Sequence, residues 1–110
     1  MTIPFELRQK DLALPPAMAE GIRNRAGKLE RFHPKIRRCV VSVQGPGPHH
    51  RQGACSVRIE LHVPGAGLVV RKQDPAALEP ALTAAFDAMS RRLEDQVRRA
   101  RGFVKRHDVP

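Results

Sequence analysis

The stretch CSVRIELHVPGAGLVVRK, residues 55–72, decides the fold. In its first nine residues Cys55, Val57, Ile59, Leu61 and Val63 share one parity, and Ser56, Arg58, Glu60 and His62 share the other. A period of two with one apolar side is the pattern of a half-buried strand. Pro64 to Gly67 supplies turn chemistry. Leu68 to Lys72 then reads as a short returning strand. A hairpin with one apolar face needs a second layer to cover it.

Outward toward the N-terminus, GPGPHHRQG (residues 45–53) reads as a loop and mobile hairpin tip. RRCVVSV (residues 37–43) reads as a strand with Cys39, Val41 and Val43 on its buried side. LPPAMAEGIRNRAGKLERF (residues 14–32) carries an apolar stripe of Met18, Ile22, Ala26 and Leu29 at helical spacing, with Pro15 or Pro16 in the first turn. Pro34 stops that helix, because the residue before proline disfavours the helical region. IPFELR (residues 3–8) alternates again and reads as the first strand, with Pro4 at a strand start or edge. Toward the C-terminus, Asp74 and Pro75 suit a cap and first turn, while Pro80 suits a later start. The stripe of Leu82, Phe86, Met89, Leu93, Val97 and Ala100 marks a long helix to about Arg101, ended by Gly102.

The expected architecture is α+β: a two-layer β-α-β-β-β-α sandwich. A four-stranded mixed sheet carries two helices on one face, and its first two strands run parallel through a right-handed crossover. The other sheet face, with Glu6, Arg8, Arg38, Ser42, Arg58, Glu60 and His62, is expected to be wet. At 110 residues the chain suits a single domain, 1–110, with residues 102–110 as a C-terminal tail. Without Trp or Tyr, its core must come from aliphatic residues and the four Phe.

Twenty Lys and Arg stand against eleven Asp and Glu, a net charge of +9. Such a balance points to a polyanionic partner. The excess is clustered. Residues 19–38 hold seven basic and two acidic side chains, and residues 89–107 repeat that count. Each window therefore carries a net +5, and together they exceed the whole chain's surplus. Glu94 and Asp95 can pair with Arg98 and Arg99 four residues on, which leaves a large remainder. Self-repulsion of this size has no purely structural purpose. Arg outnumbers Lys, which suits bidentate contact with phosphate. Single-strand readers usually stack bases on exposed aromatic residues, and the predicted open sheet face has none. Phosphate and shape recognition through the helices is the better expectation, with nucleic acid as the leading partner and an anionic membrane surface second.

Other chemistries find little support. Cys39 and Cys55 fall on buried parities and read as inert thiols. His49, His50 and His62 lack the spacing of a metal site. No catalytic constellation, cofactor motif or small-molecule site is visible. The opening MTIPFELRQK lacks the apolar core of a secretory signal, and no apolar run reaches membrane-spanning length. A cytoplasmic protein without membrane attachment is expected.

The strand and helix order, GKLERFHPKI closing the first helix, and RRLEDQVRR on the last helix together resemble the ribosome hibernation factors. These are the hibernation promoting factor and ribosome-associated inhibitor group, also called sigma-54 modulation proteins. The resemblance spans about Phe5 to Arg101. Lys28-Leu29-Glu30-Arg31 matches the family's Lys-Leu-Glu-Arg-like run, and Arg92 to Val97 matches its second motif. The sequence departs from the pattern at Gly21, at Ala81-Leu82-Thr83 and at Asp95. The resemblance implies a bacterial stress-response factor that is not an enzyme. It would bind 16S-type rRNA of the small ribosomal subunit in the tRNA/mRNA channel and block translation. It implies phosphate contacts from Arg23, Arg25, Lys28 and Arg31 on the first helix and from Arg91, Arg92, Arg98, Arg99 and Arg101 on the second. Lys35 and Lys105 complete the expected RNA-binding set. A general binder of structured RNA is the alternative, and a small Cys/His metal or redox protein is a second.

Overall fold

The computed structural model describes residues 3–46 and 54–107, with side chains through residue 101. The elements in chain order are β1 (Phe5–Lys10), α1 (Pro16–Lys28), a 3-10 turn (Leu29–Arg31), β2 (Arg38–Gln44), β3 (Cys55–Val63), β4 (Ala66–Asp74) and α2 (Leu78–His107). The strands form one sheet in the order β1-β2-β3-β4. β1 pairs parallel with β2, and the other two pairings are antiparallel. This is the expected α+β arrangement of a mixed four-stranded sheet with both helices on one face.

Alternation along the strands builds the core. Cys39, Val41 and Val43 of β2 pack with Val57, Ile59, Leu61 and Val63 of β3 and with Leu68 and Val70 of β4. Ile22, Ala26 and Leu29 cover them from α1 and the turn after it, and Leu82, Met89 and Leu93 cover them from α2. Each large aliphatic side chain buried there contributes roughly 1.5–3 kcal/mol. Met18 is half-buried at the edge of the α1 stripe.

Two glycines hold tight places. Gly65 has φ +80°, and with Pro64 before it gives the backbone that a type II turn requires. A Cβ on Gly45 would lie 2.6 Å from the Asp11 carbonyl oxygen, so only glycine lets β2 end against the turn after β1.

Three expectations are corrected. β4 is longer than residues 68–72, because its ladder with β3 runs from Ala66 to Asp74. The polar Lys72 and Gln73 lie on an edge strand, where only one side of the backbone must pair. Second, α2 begins at Leu78, with Pro80 inside its first turn. There the missing N–H removes nothing, since the first four amides have no helical partner. The Asp74 carboxylate instead accepts the Ala76 and Ala77 N–H groups at 2.9 Å each, which closes the β4–α2 turn. Third, α2 continues through Gly102 to His107. One glycine costs a helix about 1 kcal/mol, too little to end it without a capping motif.

The apolar stripe of α2 stops short as well. Leu93 is fully buried, Val97 half-buried and Ala100 exposed. A 30-residue helix is ~45 Å long at 1.5 Å per residue, longer than the strands it crosses. Its last turns project past the sheet and stretch the molecule to 60 × 28 × 18 Å.

Candidate nucleic-acid interface

A groove runs between the two helices. Near its middle, Arg25, Lys28 and Arg31 form the α1 wall, Thr83, Asp87 and Ser90 form the α2 wall, and Phe32 and Phe86 line the space between. The hollow has a volume of about 340 Å³. A second hollow continues from it, sharing Arg31 and Phe32 and adding Glu94, Val97, Arg98 and Arg101.

Helical geometry explains which side chains reach this groove. Measured from the buried Leu93, Glu94 lies at ~100°, Arg98 at ~140° and Arg101 at ~80°, on the flank that faces α1. Arg92 and Arg99 lie at about −100° and −120°, on the flank that faces away. On α1 the basic residues at 25 and 28 share a face at helical spacing. The 3-10 turn carries Arg31 and Phe32 onward along the same groove. Pro34 then turns the chain toward β2.

Ten of the eleven expected RNA-binding side chains are thereby placed. Arg25, Lys28, Arg31, Arg98 and Arg101 line the groove. Arg25 is already ion-paired with Glu79 at the start of α2, which ties the two helices together. Arg23 lies on the far side of α1, 5.8 Å from the Phe5 ring centroid in a cation–π contact, and borders a hollow beside β1 that also reaches Lys28 and Arg31. Arg91 points outward beside Thr83 and Asp87. Arg92 donates to the Val69 carbonyl of β4. Arg99 pairs with Asp95 at 3.1 Å as the spacing predicts, whereas Glu94 and Arg98 form no pair among the described residues. Lys35 is exposed beyond the 3-10 turn, where its N–H donates to His33 Nδ1 at 3.0 Å. The side chain of Lys105 lies outside the described residues.

The groove is not uniformly positive. Asp87 and Glu94 line it too, so cationic character is strongest around Lys28 and Arg31 and at the Arg98–Arg101 end. Phe32, common to both hollows, escaped sequence reasoning. Its position follows from the 3-10 turn, which the helical pattern did not reveal.

The opposite face of the sheet carries the other polar residues. Glu6 pairs with Arg8 and, at 3.4 Å, with Arg38. Glu60 meets Arg58 at 3.1 Å and His62 Nε2 at 3.0 Å. The His62 hydrogen bond is the main cause that holds the Glu60 carboxyl below its ordinary pKa, and for Glu6 it is the hydrogen bond from Arg8. Val40 is buried on this face, where the register sets it between Glu6 and Glu60. The expectation of a wholly wet face missed that residue.

The thiols do not form a joint site. Cys39 is fully buried, and burial pushes its pKa up to about 12. Cys39 sits opposite Leu61 of β3, six residues from Cys55, a separation of ~20 Å along a strand. Cys55 is half-buried rather than buried, because it starts its strand at the open end of the sheet. Among the described residues no group of three His, Cys, Asp or Glu is placed to hold a metal ion, and His49 and His50 lie outside them. No helix among the described residues is long and apolar enough to cross a membrane.

Comparisons with known proteins agree with this fold. The family model described as sigma 54 modulation protein / S30EA ribosomal protein matches residues 5–105. Among solved structures, the N-terminal domain of Protein Y from Thermus thermophilus is 18% identical, with a TM-score of 0.64. That match covers 86% of this chain and 98% of the other. A ribosomal subunit interface protein from Coxiella burnetii is 9% identical, with a TM-score of 0.66, covering 83% and 96%. At these identities the likeness is one of fold. No curated protein matches the chain.

Proposed function

Because the chain belongs to the sigma 54 modulation protein / S30EA ribosomal protein family, we propose that it is a ribosome-binding factor that silences translation. In this reading it acts in the cytoplasm without catalysis. It occupies the tRNA/mRNA channel of the small subunit and holds 16S-type rRNA phosphates along the inter-helix groove. One observation carries the residue assignment. Lys28 and Arg31 from the first helical segment and Arg98 and Arg101 from α2 border connected hollows of one groove. A groove lined by cations from both helical segments suits a phosphate backbone, which Arg can grip bidentately. Arg25 assists while also holding Glu79. Arg23, Lys35, Arg91 and Arg99 contribute long-range field rather than contact, and Arg92 serves the sheet edge.

Co-sedimentation of the protein with purified small subunits tests this reading. Retention with the particle is expected at ~100 mM salt. Five phosphate contacts predict a log–log salt slope of magnitude ~4 to 5. A protein that stays in the supernatant, or a flat salt response, contradicts the proposal. Bulk transfer RNA added as competitor should displace little of the bound protein. Full displacement would favour a general binder of structured RNA instead.

A further inference from the structure

The strand register lines up three arginines that sit far apart in the sequence. Arg8 lies opposite Ser42, Ser42 opposite Arg58, and Arg58 opposite Arg71, in one row across all four strands. All lie on the outer sheet face, away from both helices. Arg58 and Arg71 are direct cross-strand neighbours, a like-charge pairing that weakens a sheet. The next row, Lys10, Gln44, Ser56 and Gln73, adds another cation and three neutral hydrogen-bonding side chains. The two rows line a hollow of about 410 Å³.

The acids of this face do not remove the charge. Glu6 and Glu60 stand in the row on the other side of the arginines, where they also engage Arg38 and His62. Arg71 and Lys10 have no ion pair among the described residues. Arg58 donates to Glu60 from Nη2, while its Nε is buried without a hydrogen-bond partner. The face offers no aromatic ring for stacking, and Val69 is its one exposed large apolar side chain among the described residues. Charge complementarity therefore favours a phosphate backbone over a protein surface or stacked bases.

We propose that this row is a second phosphate-binding surface, which takes the backbone of an RNA strand on the side of the sheet opposite the helix groove. Arg58 and Arg71 grip phosphate oxygens, Arg8 extends the track, and the Ser and Gln row donates neutral hydrogen bonds. The protein then has two cationic faces separated by the thickness of its core, and can lie between two RNA segments. This surface does not depend on the helix groove being the ribosomal contact.

The test is fluorescence anisotropy of a labelled twelve-nucleotide polyuridylate RNA titrated with the full chain between ~50 and ~200 mM salt. Arg58→Gln/Arg71→Gln is compared with Lys28→Gln/Arg31→Gln in the groove and with Lys35→Gln/Arg37→Gln as a charge-matched control. Neutralising Arg58 and Arg71 should weaken binding about tenfold or more and flatten the log–log slope by ~1.4, beyond the control. Its melting temperature should change little, because relief of the like-charge pair offsets loss of the partly exposed Arg58–Glu60 ion pair. An affinity and slope equal to the control's overturn the proposal, whatever the groove variant does. Vesicles rich in phosphatidylglycerol that bind through Arg58 and Arg71, with the RNA indifferent to them, overturn the RNA assignment. RNA binding through this face in a protein that fails to co-sediment with small subunits upholds the second surface and removes the ribosomal reading alone.

Discussion

Arg92 of α2 donates a hydrogen bond to the backbone carbonyl of Val69 at 2.5 Å, which covers the free edge of β4. An edge strand left open is a template for pairing with another chain, and a charged side chain laid across it is one remedy. Arg92 lies on the flank of α2 that faces away from α1, so its place in the RLEDQV motif reflects sheet protection. Replacing it with Ala removes one charge-assisted bond, roughly 1.5–3 kcal/mol less solvent screening. The expected result is a lower melting temperature and concentration-dependent self-association in sedimentation velocity. Small-subunit binding should fall less than for Arg31→Ala. A loss equal to that of Arg31→Ala would show that Arg92 leaves β4 to contact RNA.

Leu93 and Val97 mark where α2 leaves the sheet. Leu93 is fully buried in the shared core, whereas one turn later Val97 is half-buried. Leu93→Ala should cost about 2–5 kcal/mol of unfolding free energy, as for other buried leucines. Val97→Ala should cost under ~1 kcal/mol, since it removes less buried surface. Denaturant melts of the two variants check this. Similar losses would mean that the sheet supports the helix farther than Val97.

These corrections show what the sequence can carry. Parity in residues 55–63 places every side chain of β3 on its correct face, because one apolar side must be covered wherever the strand lies. The helix stripe through Leu82, Phe86, Met89 and Leu93 is equally legible. Its extension to Val97 and Ala100 fails because periodicity records an apolar line and says nothing of where the covering sheet stops. The same limit governs the charges. Residues 89–107 declare a basic helix, but only the crossing of α1 and α2 separates Arg98 and Arg101 from Arg92 and Arg99. The row of Arg8, Arg58 and Arg71 needs the strand register, a property of three pairings at once.

The two thiols should differ sharply in reactivity. Cys39 is buried and its thiol is pushed up to about 12, so almost no thiolate exists near neutral pH. Cys55 is half-buried at the open end of β3. An aromatic disulfide reagent should titrate one thiol in the folded protein and two in denaturant. Cys55→Ser should abolish the fast phase and Cys39→Ser should leave it. Rapid reaction of Cys39 in the native state would require β2 to open on the assay timescale.

Arg31 and Arg98 come from different helices and border the same hollow beside Phe32. If one RNA segment lies in the groove, both guanidinium groups contact it, and their losses are not independent. Each Arg→Gln change should weaken small-subunit binding by ~1.5–3 kcal/mol, roughly 10- to 150-fold, and reduce the salt slope by ~1. Arg99→Gln provides the contrast, because Arg99 is paired with Asp95 on the opposite flank. It should lower affinity a few-fold at most. The double Arg31→Gln/Arg98→Gln variant should lose less than the sum of the two, since the first change already loosens the segment that the second would release. Additive losses would place the two residues on separate RNA segments, and equal effects at Arg31, Arg98 and Arg99 would reduce the groove to one part of a diffuse positive field. Binding measured by co-sedimentation at two salt concentrations separates these outcomes.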